Sequence, residues 1–376
     1  MAESEPLDAA VLPHGITARC IDGLNGLRVH LLEAGNPRDP LILLLHGFPE
    51  LAYSWRKIML PLAATGAHVV APDLRGYGRT TGWNADYDAD IASFGILNLV
   101  RDALALVNAL GHQQVAMVVG HDFGSSAASA CALVRPDVFR SVVLMSAPFA
   151  GPPKSPQTLS ALAEIDLDLG RLNPPRKHYH WYYATRAANA DMQFAPQGLQ
   201  AFLRAYYHHK SADWTANKPY PLTAWSAGEL AKLPTYYVMQ KHQTMAETVA
   251  AEMPSASQIA ACNWLPDKEL AVYAGEYGRT GFQGGLNWYR SRTSGLMGHE
   301  LSTFAGRRIE VPAGFIAGHQ DWGVHQKAGD FETMQSQACS NMRRVHLIEG
   351  AGHWVQQEKP AEVAALLTGF RLATSG

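Results

Sequence analysis

An apolar run that ends in a glycine-rich turn constrains the fold more than any other stretch of the chain. Residues 115–129 read VAMVVGHDFGSSAAS. Gly120 and Gly124 allow a tight turn after the apolar run, and the small residues that follow let a helix begin close to the strand. The stretch therefore predicts a strand, a sharp turn and a helix, with Asp122 held at the turn.

Unbroken apolar runs alternate with helical periodicity over the first 150 residues. The runs lie near 28–34 and at 41–45, 68–74, 115–120 and 141–147, and the helical stretches at 55–64 and 95–110. Continuous apolar runs suit strands that are buried on both faces of a parallel sheet. The alternation predicts an α/β fold, in which helices flank a mostly parallel central sheet.

The pattern changes after Pro148. Proline-rich breaks follow, and residues 150–290 are rich in Tyr, Trp, His and Ala, with few strand-like runs. The sheet pattern resumes at 309–318 and 344–353, and a last helix is predicted from Pro360, a favourable first-turn proline. We therefore expect a core made of residues 1–149 and 291–376, with a helical cap inserted over residues 150–290.

Composition excludes several classes of partner. The chain has 31 Lys and Arg against 33 Asp and Glu, a net charge of -2, which gives no electrostatic attraction to nucleic acid or to an anionic membrane. The sixteen histidines are scattered and His208-His209 has no carboxylate set nearby, so neither a metal nor a cofactor is predicted. The aromatic cap surface would suit a homodimer, although the sequence does not show one.

The cellular compartment is predicted from cysteine usage and from the N-terminus. The first residues, MAESEPLDAAVLPHG, are acidic and lack the apolar segment of a signal peptide. No apolar run approaches the ~20 residues that a membrane span needs. The cysteines are far apart and form no C-x-x-C pair, which favours a reducing, cytoplasmic location; they are Cys20, Cys131, Cys262 and Cys339.

The Asp122 turn and a second loop predict a small anionic site. By itself Asp122 could be an ordinary helix cap, but a helix N-terminus also keeps a carboxylate ionised. HGFPE, residues 46–50, follows the strand LILLL and can present the backbone N–H of Phe48 to the same place. With the N–H of Phe123, it would form an oxyanion hole.

Two further polar residues follow predicted strands. AGHQDW places Asp321 after one apolar run, and EGAGHW places His353 after the next. Reactive groups of α/β folds gather at the carboxyl ends of parallel strands. Each residue alone could be an ordinary loop residue, but the order Asp122, Asp321, His353 is that of a nucleophile, an acid and a histidine in a catalytic triad.

These motifs resemble a known superfamily. HGFPE, DLRGYGRT, GHDFGS, AGHQDW and GAGHW are similar to the motifs of α/β-hydrolases, and an aspartate at the turn resembles the epoxide hydrolase and dehalogenase branch. TGFQGGLNWYR, residues 280–290, with Tyr273 upstream, is similar to soluble epoxide hydrolases. HYHWYYATRAANADM resembles the segment that holds their other cap tyrosine, here Tyr179, with Tyr182 or Tyr183 as alternatives if the helix register differs.

The resemblance implies hydrolysis of an epoxide to a vicinal diol, without metal or cofactor. Asp122 would form an alkyl ester, and water activated by His353 and Asp321 would hydrolyse it. Tyr179 and Tyr273 would donate to the epoxide oxygen. The side chains expected to line the substrate pocket are His46, Pro49, Trp181 and Tyr183.

Other functions stay open at this point. A dehalogenase would use the same nucleophile, but it needs donors for the halide, and Phe123 supplies none where relatives have Trp or Arg. A catalytically silent binding protein would commonly lack one of the three triad residues. A serine esterase is disfavoured because neither Ser125 nor Ser126 occupies the turn position.

Overall fold

Strands of the main sheet carry the predicted site at their carboxyl ends. The computed structural model describes residues 5–155 and 159–374. The sheet of the described chain contains eight strands: β1 (Thr17–Leu24), β2 (Leu27–Ala34), β3 (Leu41–Leu45), β4 (His68–Pro72), β5 (Val115–His121), β6 (Val142–Met145), β9 (Ala313–Gly318) and β10 (Met342–Ile348).

The strand order is β1-β2-β4-β3-β5-β6-β9-β10. Every pair from β4 through to β10 is parallel, whereas β2 pairs antiparallel with both β1 and β4. The predicted mostly parallel α/β sheet is therefore confirmed. β1 was not predicted, because it is an edge strand whose residues are mostly half-buried or exposed and give no apolar run.

The core lies on both faces of this sheet. Along β3 every residue is buried, and successive side chains point to opposite faces. Leu41, Leu43 and Leu45 pack into one hydrophobic cluster, while Ile42 and Leu44 pack into the other. The unbroken apolar run in the sequence is thus the consequence of burial from both sides.

Helices cover the two faces of the sheet. The helices outside the β6–β9 connection are α1 (Arg56–Ala63), α2 (Ile96–Ala109), α3 (Phe123–Val134), α14 (Asp330–Thr333), α15 (Val355–Glu358) and α16 (Pro360–Thr374). The predicted helices near 55–64 and 95–110 and from Pro360 are confirmed. Short 3₁₀ turns occupy Ala9–Val11, Ala52–Trp55, Ala92–Phe94 and Trp322–Val324, and a π turn occupies Met334–Ala338.

The connection from β6 to β9 is mainly helical. Its helices are α4 (Leu159–Gly170), α5 (Tyr179–Tyr183), α6 (Ala187–Gln193), α7 (Leu199–Lys210), α8 (Ala227–Leu230), α9 (Met245–Ala250), α10 (Ala256–Ala261), α11 (Asp267–Thr280), α12 (Gln283–Thr293) and α13 (Leu296–Ser302). An antiparallel ribbon of β7 (Arg176–His178) and β8 (Val238–Gln240) was not predicted. The division at 149/150 and 290/291 stays a prediction, and residue 290 falls inside α12.

The helices of residues 5–155 and 159–374 are too short or too polar to cross a bilayer.

Candidate active site

Asp122 stands at a sharp turn between β5 and α3. Its backbone has φ 53° and ψ -117°, a conformation that side-chain-bearing residues rarely adopt. The two flanking glycines are required by close packing. A Cβ on Gly120 would lie 2.0 Å from the carbonyl oxygen of Gly124, and a Cβ on Gly124 would lie 2.0 Å from that of Leu45. The sequence G-H-D-F-G therefore forces the carboxylate of Asp122 out over the end of the sheet.

The loop after β3 supplies a donor to Asp122. The backbone N–H of Phe48 donates to Oδ1 of Asp122 at 3.1 Å, as the HGFPE motif predicted. Phe123 is the first residue of α3, and within the described chain its N–H makes no hydrogen bond to Asp122. Its share in an oxyanion hole stays a prediction.

His353 lies between two carboxylates. Its Nδ1 is 3.0 Å from Oδ1 of Asp321, and its Nε2 is 3.5 Å from Oδ2 of Asp122. Asp321 Oδ1 also accepts the N–H of Gly323 at 2.7 Å. The structure thus brings together all three residues of the predicted triad from loops after β5, β9 and β10. The short contact at Nδ1 fixes the proton there and leaves Nε2 facing Asp122.

Local charges keep both aspartates ionised. Burial acts to raise the pKa of Asp122, but attraction to His353 in its protonated form, with the charges of Lys210 and His121, holds it well below its usual range. Burial also acts to raise the pKa of Asp321, but the charge and hydrogen bond of His353 lower this pKa below its usual value. Asp122 is therefore a carboxylate, able to attack, rather than a neutral acid.

A buried pair that was not predicted supports the His353 loop. Glu50 Oε2 is 2.5 Å from Nδ1 of His121, and Nε2 of His121 is 2.7 Å from the carbonyl oxygen of His353. The charge of His121 outweighs burial and lowers the pKa of Glu50, so the pair is ionic. Glu50 lies in the HGFPE motif and His121 in the GHDFG motif. A charged or titratable side chain beside the predicted nucleophile was the signal that could have identified each of them.

The predicted tyrosines have different surroundings. The hydroxyl of Tyr179 donates to Oε1 of Gln326 over a long 3.4 Å, and its pKa is raised well above its usual value by burial and by the charge of Asp122. The hydroxyl of Tyr273 is 2.8 Å from Oγ of Ser54 and donates to Oε1 of Gln357 at 3.2 Å. Tyr273 is thus held by polar groups beside α1 and α15.

Two of the residues predicted to line the pocket lie at the Phe48 loop, and a third lies elsewhere. The ring of Tyr183 packs 5.2 Å from that of Phe48, and the carbonyl oxygen of Pro49 accepts the hydroxyl of Tyr207 at 2.8 Å. Trp181 lines a separate cleft of about 250 Å³ with Arg292 and Lys327 among its walls.

His46 has a structural position. Its Nδ1 is 2.9 Å from the carbonyl oxygen of Gly47, and its Nε2 accepts the N–H of Leu74 at 3.1 Å. With both ring nitrogens bonded to backbone, the side chain fixes the loop that carries Phe48.

Among the described residues, no three His, Cys, Asp or Glu side chains are grouped so that they could hold a metal ion.

Known proteins share this architecture. The α/β-hydrolase fold family matches residues 40–180. Epoxide hydrolase A of Mycobacterium tuberculosis is 31% identical over 94% of this chain and 97% of its own length, and epoxide hydrolase B of the same organism is 32% identical over 92% and 95%. The structure of an epoxide hydrolase from an endophytic Streptomyces superposes with a TM-score of 0.77 at 31% identity, covering 95% of this chain and 96% of that one. The structure of potato epoxide hydrolase I superposes with a TM-score of 0.73 at 30% identity, covering 95% of this chain and 99% of that one. The chain belongs to the epoxide hydrolase family of the α/β-hydrolase fold.

Proposed function

We propose that this chain hydrolyses epoxides to vicinal diols by way of an alkyl ester on Asp122. One observation carries the mechanism: the ionised carboxylate of Asp122 stands at the turn, between the Phe48 N–H and Nε2 of His353. The names of the relatives favour epoxides over alkyl halides as substrates.

The choice of a carboxylate selects the electrophile. A carboxylate that attacked a carbonyl carbon would form an anhydride, an uphill product. Toward saturated carbon with an activated leaving group it is a competent nucleophile. In the first step an oxygen of Asp122 bonds to one epoxide carbon, the ring C–O bond breaks, and the ring oxygen takes the electron pair.

The ring oxygen also needs a proton. Tyr179 is the better placed of the two predicted donors, because its only hydrogen bond in the described chain is the long one to Gln326. For Tyr273 to donate, its hydroxyl must leave Ser54 and Gln357. We therefore assign Tyr179 as the acid and keep Tyr273 as a second donor that requires this rearrangement.

The second step frees the enzyme. His353, held by Asp321, takes a proton from water, which attacks the carbonyl carbon of the ester. The developing oxyanion is on the Asp122 side chain, where the N–H of Phe48 already points. Hydrolysis therefore leaves one oxygen of the water in Asp122 after the first turnover.

The finer assignments of partner and place are proposals as well. The substrates are a small-molecule epoxide and water, with no nucleic acid, because the overall charge is balanced. The cytoplasm and a homodimer are proposed from the spacing of the cysteines and from the aromatic cap, respectively.

Trapping the ester tests the mechanism. His353→Gln, incubated with styrene oxide, should gain the mass of one substrate, and the peptide containing Asp122 should carry it. His319→Gln changes an exposed histidine and should turn over without an adduct. In a single turnover of the unaltered enzyme in heavy-oxygen water, the label should enter Asp122. A fully labelled diol with unlabelled protein and no adduct would overturn the ester mechanism.

A further inference from the structure

Helix α7 presents a buried cation to the active site. Tyr206 and Lys210 are four residues apart and share one face of the helix. Lys210 is the last residue of α7 and only 3% exposed. Its carbonyl oxygen accepts the N–H of His353 at 2.9 Å, so this end of α7 packs directly on the His353 loop.

The ammonium of Lys210 is enclosed by aromatic rings. Its Nζ lies 5.1–5.7 Å from the ring centres of Tyr206, Tyr236, Tyr237 and Trp354. Ring faces attract a cation, and these four hold the charge in place. In the described chain Nζ has no hydrogen-bond acceptor and no carboxylate at ion-pair distance.

Carboxylates of the active site are the charges that compensate this cation. Burial lowers the pKa of Lys210, whereas the charges of Asp122, Asp321 and Glu50 raise it. The same attraction contributes to the low pKa of Asp122. A buried ammonium without a hydrogen-bond acceptor is costly, so it favours an acceptor oxygen on a substrate bound at Asp122.

The tyrosines near Asp122 are weak proton donors, and a positive charge beside the substrate would compensate for this. Burial raises the pKa of Tyr179, Tyr206 and Tyr289, and the charge of Asp122 raises each further. A phenol with a raised pKa is a weaker proton donor to an opening epoxide. Positive charge next to the ring oxygen offsets that weakness, because it stabilises the alkoxide before the proton arrives.

We propose that Lys210 is a further catalytic residue, whose ammonium donates a hydrogen bond to the epoxide oxygen and stabilises its negative charge as the ring opens. This role rests on the proposed ester mechanism. Asp122 forms the new C–O bond, the ring C–O bond breaks, and the alkoxide takes its proton from Tyr179 while Lys210 keeps its own. Ester hydrolysis releases a proton from the new Asp122 acid, and this proton restores the phenol.

Rapid-quench single turnovers of Lys210→Met with styrene oxide separate the two chemical steps. Loss of the charge should slow formation of the ester about 100-fold and change its hydrolysis less than about threefold. Lys210→Gln serves the same purpose if the Met variant does not fold. The matched control is Lys177→Met, since Nζ of Lys177 lies 4.6 Å from the ring centre of Tyr182 but its charged neighbours are other carboxylates.

Three results would overturn the role of Lys210. Unchanged ester formation would show that the charge does not act on the ring oxygen. An equal slowing of both steps would indicate that Lys210 only holds the His353 loop through its backbone. Recovery of the full rate of ester formation at higher pH would mean that Lys210 only keeps Asp122 ionised. If the unaltered enzyme forms no ester at all, the proposed function fails, and this result is distinct from the other three.

Discussion

At the scale of single residues, Asp122 is positioned by neighbours that have no side chain. A Cβ on Gly47 would lie 2.4 Å from Cβ of Asp122 and 2.8 Å from the carbonyl oxygen of His121. Two backbone segments therefore approach as closely as glycine allows, and this approach brings the Phe48 N–H to the carboxylate. The geometry of the proposed nucleophile therefore depends on Gly47, a residue that has no side chain.

Gly47→Ala should therefore lower kcat/KM with an epoxide by at least about 100-fold, because a displacement of the carboxylate near 1 Å has an effect of that order. Steady-state kinetics measures the loss, and circular dichroism checks that the variant is folded.

Gly275→Ala is the contrasting change in the middle of α11. A Cβ there meets nothing within 4 Å, and alanine in a helix should add about 0.5–1 kcal/mol of stability with activity unchanged. If both alanine variants kept full activity, close packing at Gly47 would have no importance for catalysis.

The sequence allows a residue to be located where a local motif sets its position. Asp122, Phe48, Asp321 and His353 each follow a strand end, and a parallel sheet brings such ends together. Lys210 gave no such signal, because its position depends on how the end of α7 packs on the core. The surroundings of Tyr273 could not be predicted for the same reason.

At the scale of elements, the last turn of α7 contains a histidine that is buried without hydrogen bonds. Both ring nitrogens of His209 have no partner among the described residues, and its ring packs 4.4 Å from Trp214 and 4.7 Å from Tyr236. Burial, with the charges of His208 and Lys210, lowers the pKa of His209 to about 3. The imidazole is neutral and acts as an aromatic core residue.

This neutral imidazole predicts a loss of stability in acid. Above its unfolded pKa of about 6.5 the imidazole is neutral in both states and has no effect on pH dependence. As pH falls below that value the unfolded chain binds a proton that the folded chain refuses, down to about 3. From pH 6.5 to 5.0 the unaltered chain should lose roughly 1.6 kcal/mol more than His209→Phe does, because the full slope of about 1.4 kcal/mol per pH unit is reached only well below pH 6.5. Urea unfolding at the two pH values measures both slopes, and equal slopes would contradict the prediction.

The elements that were predicted and those that were missed differ in burial. Strands β3, β4 and β6 are buried along their whole length and gave clear apolar runs. The β7–β8 ribbon has three residues in each strand, too few to show any periodicity. Its position depends on packing against helices α5 and α9, which local sequence does not reveal.

At the scale of the whole molecule, one carboxylate joins the chain just after α7 to the loop that contains His353. Glu358 accepts three backbone N–H groups: that of Ala212 at 2.8 Å, and those of Gly352 and Trp354 at 2.9 Å each. The last two flank His353, and Ala212 follows α7 of the cap. Burial raises the pKa of Glu358 to about 7, so the three bonds are strongest when the pH lies above that value.

Glu358→Gln should loosen both sides of this junction at pH 8. An amide has one acceptor oxygen, and its NH₂ group faces an N–H that then lacks a partner. Hydrogen exchange should quicken at Gly352, Trp354 and Ala212, and hydrolysis of the ester should slow about tenfold while its formation changes little. Below pH 7 the carboxyl of Glu358 is protonated in the unaltered enzyme. The differences in hydrogen exchange and in ester hydrolysis between this enzyme and the variant should therefore shrink.

Glu349→Gln provides the comparison, since that carboxylate is on the same loop but its side chain is 82% exposed. It should leave hydrogen exchange and both rate constants unchanged. Faster exchange in the His353 loop alone, with Ala212 still protected, would show that the cap is held by other contacts. Faster exchange on both sides, together with a slower second step, would mean that the cap keeps His353 in position for the attack of water.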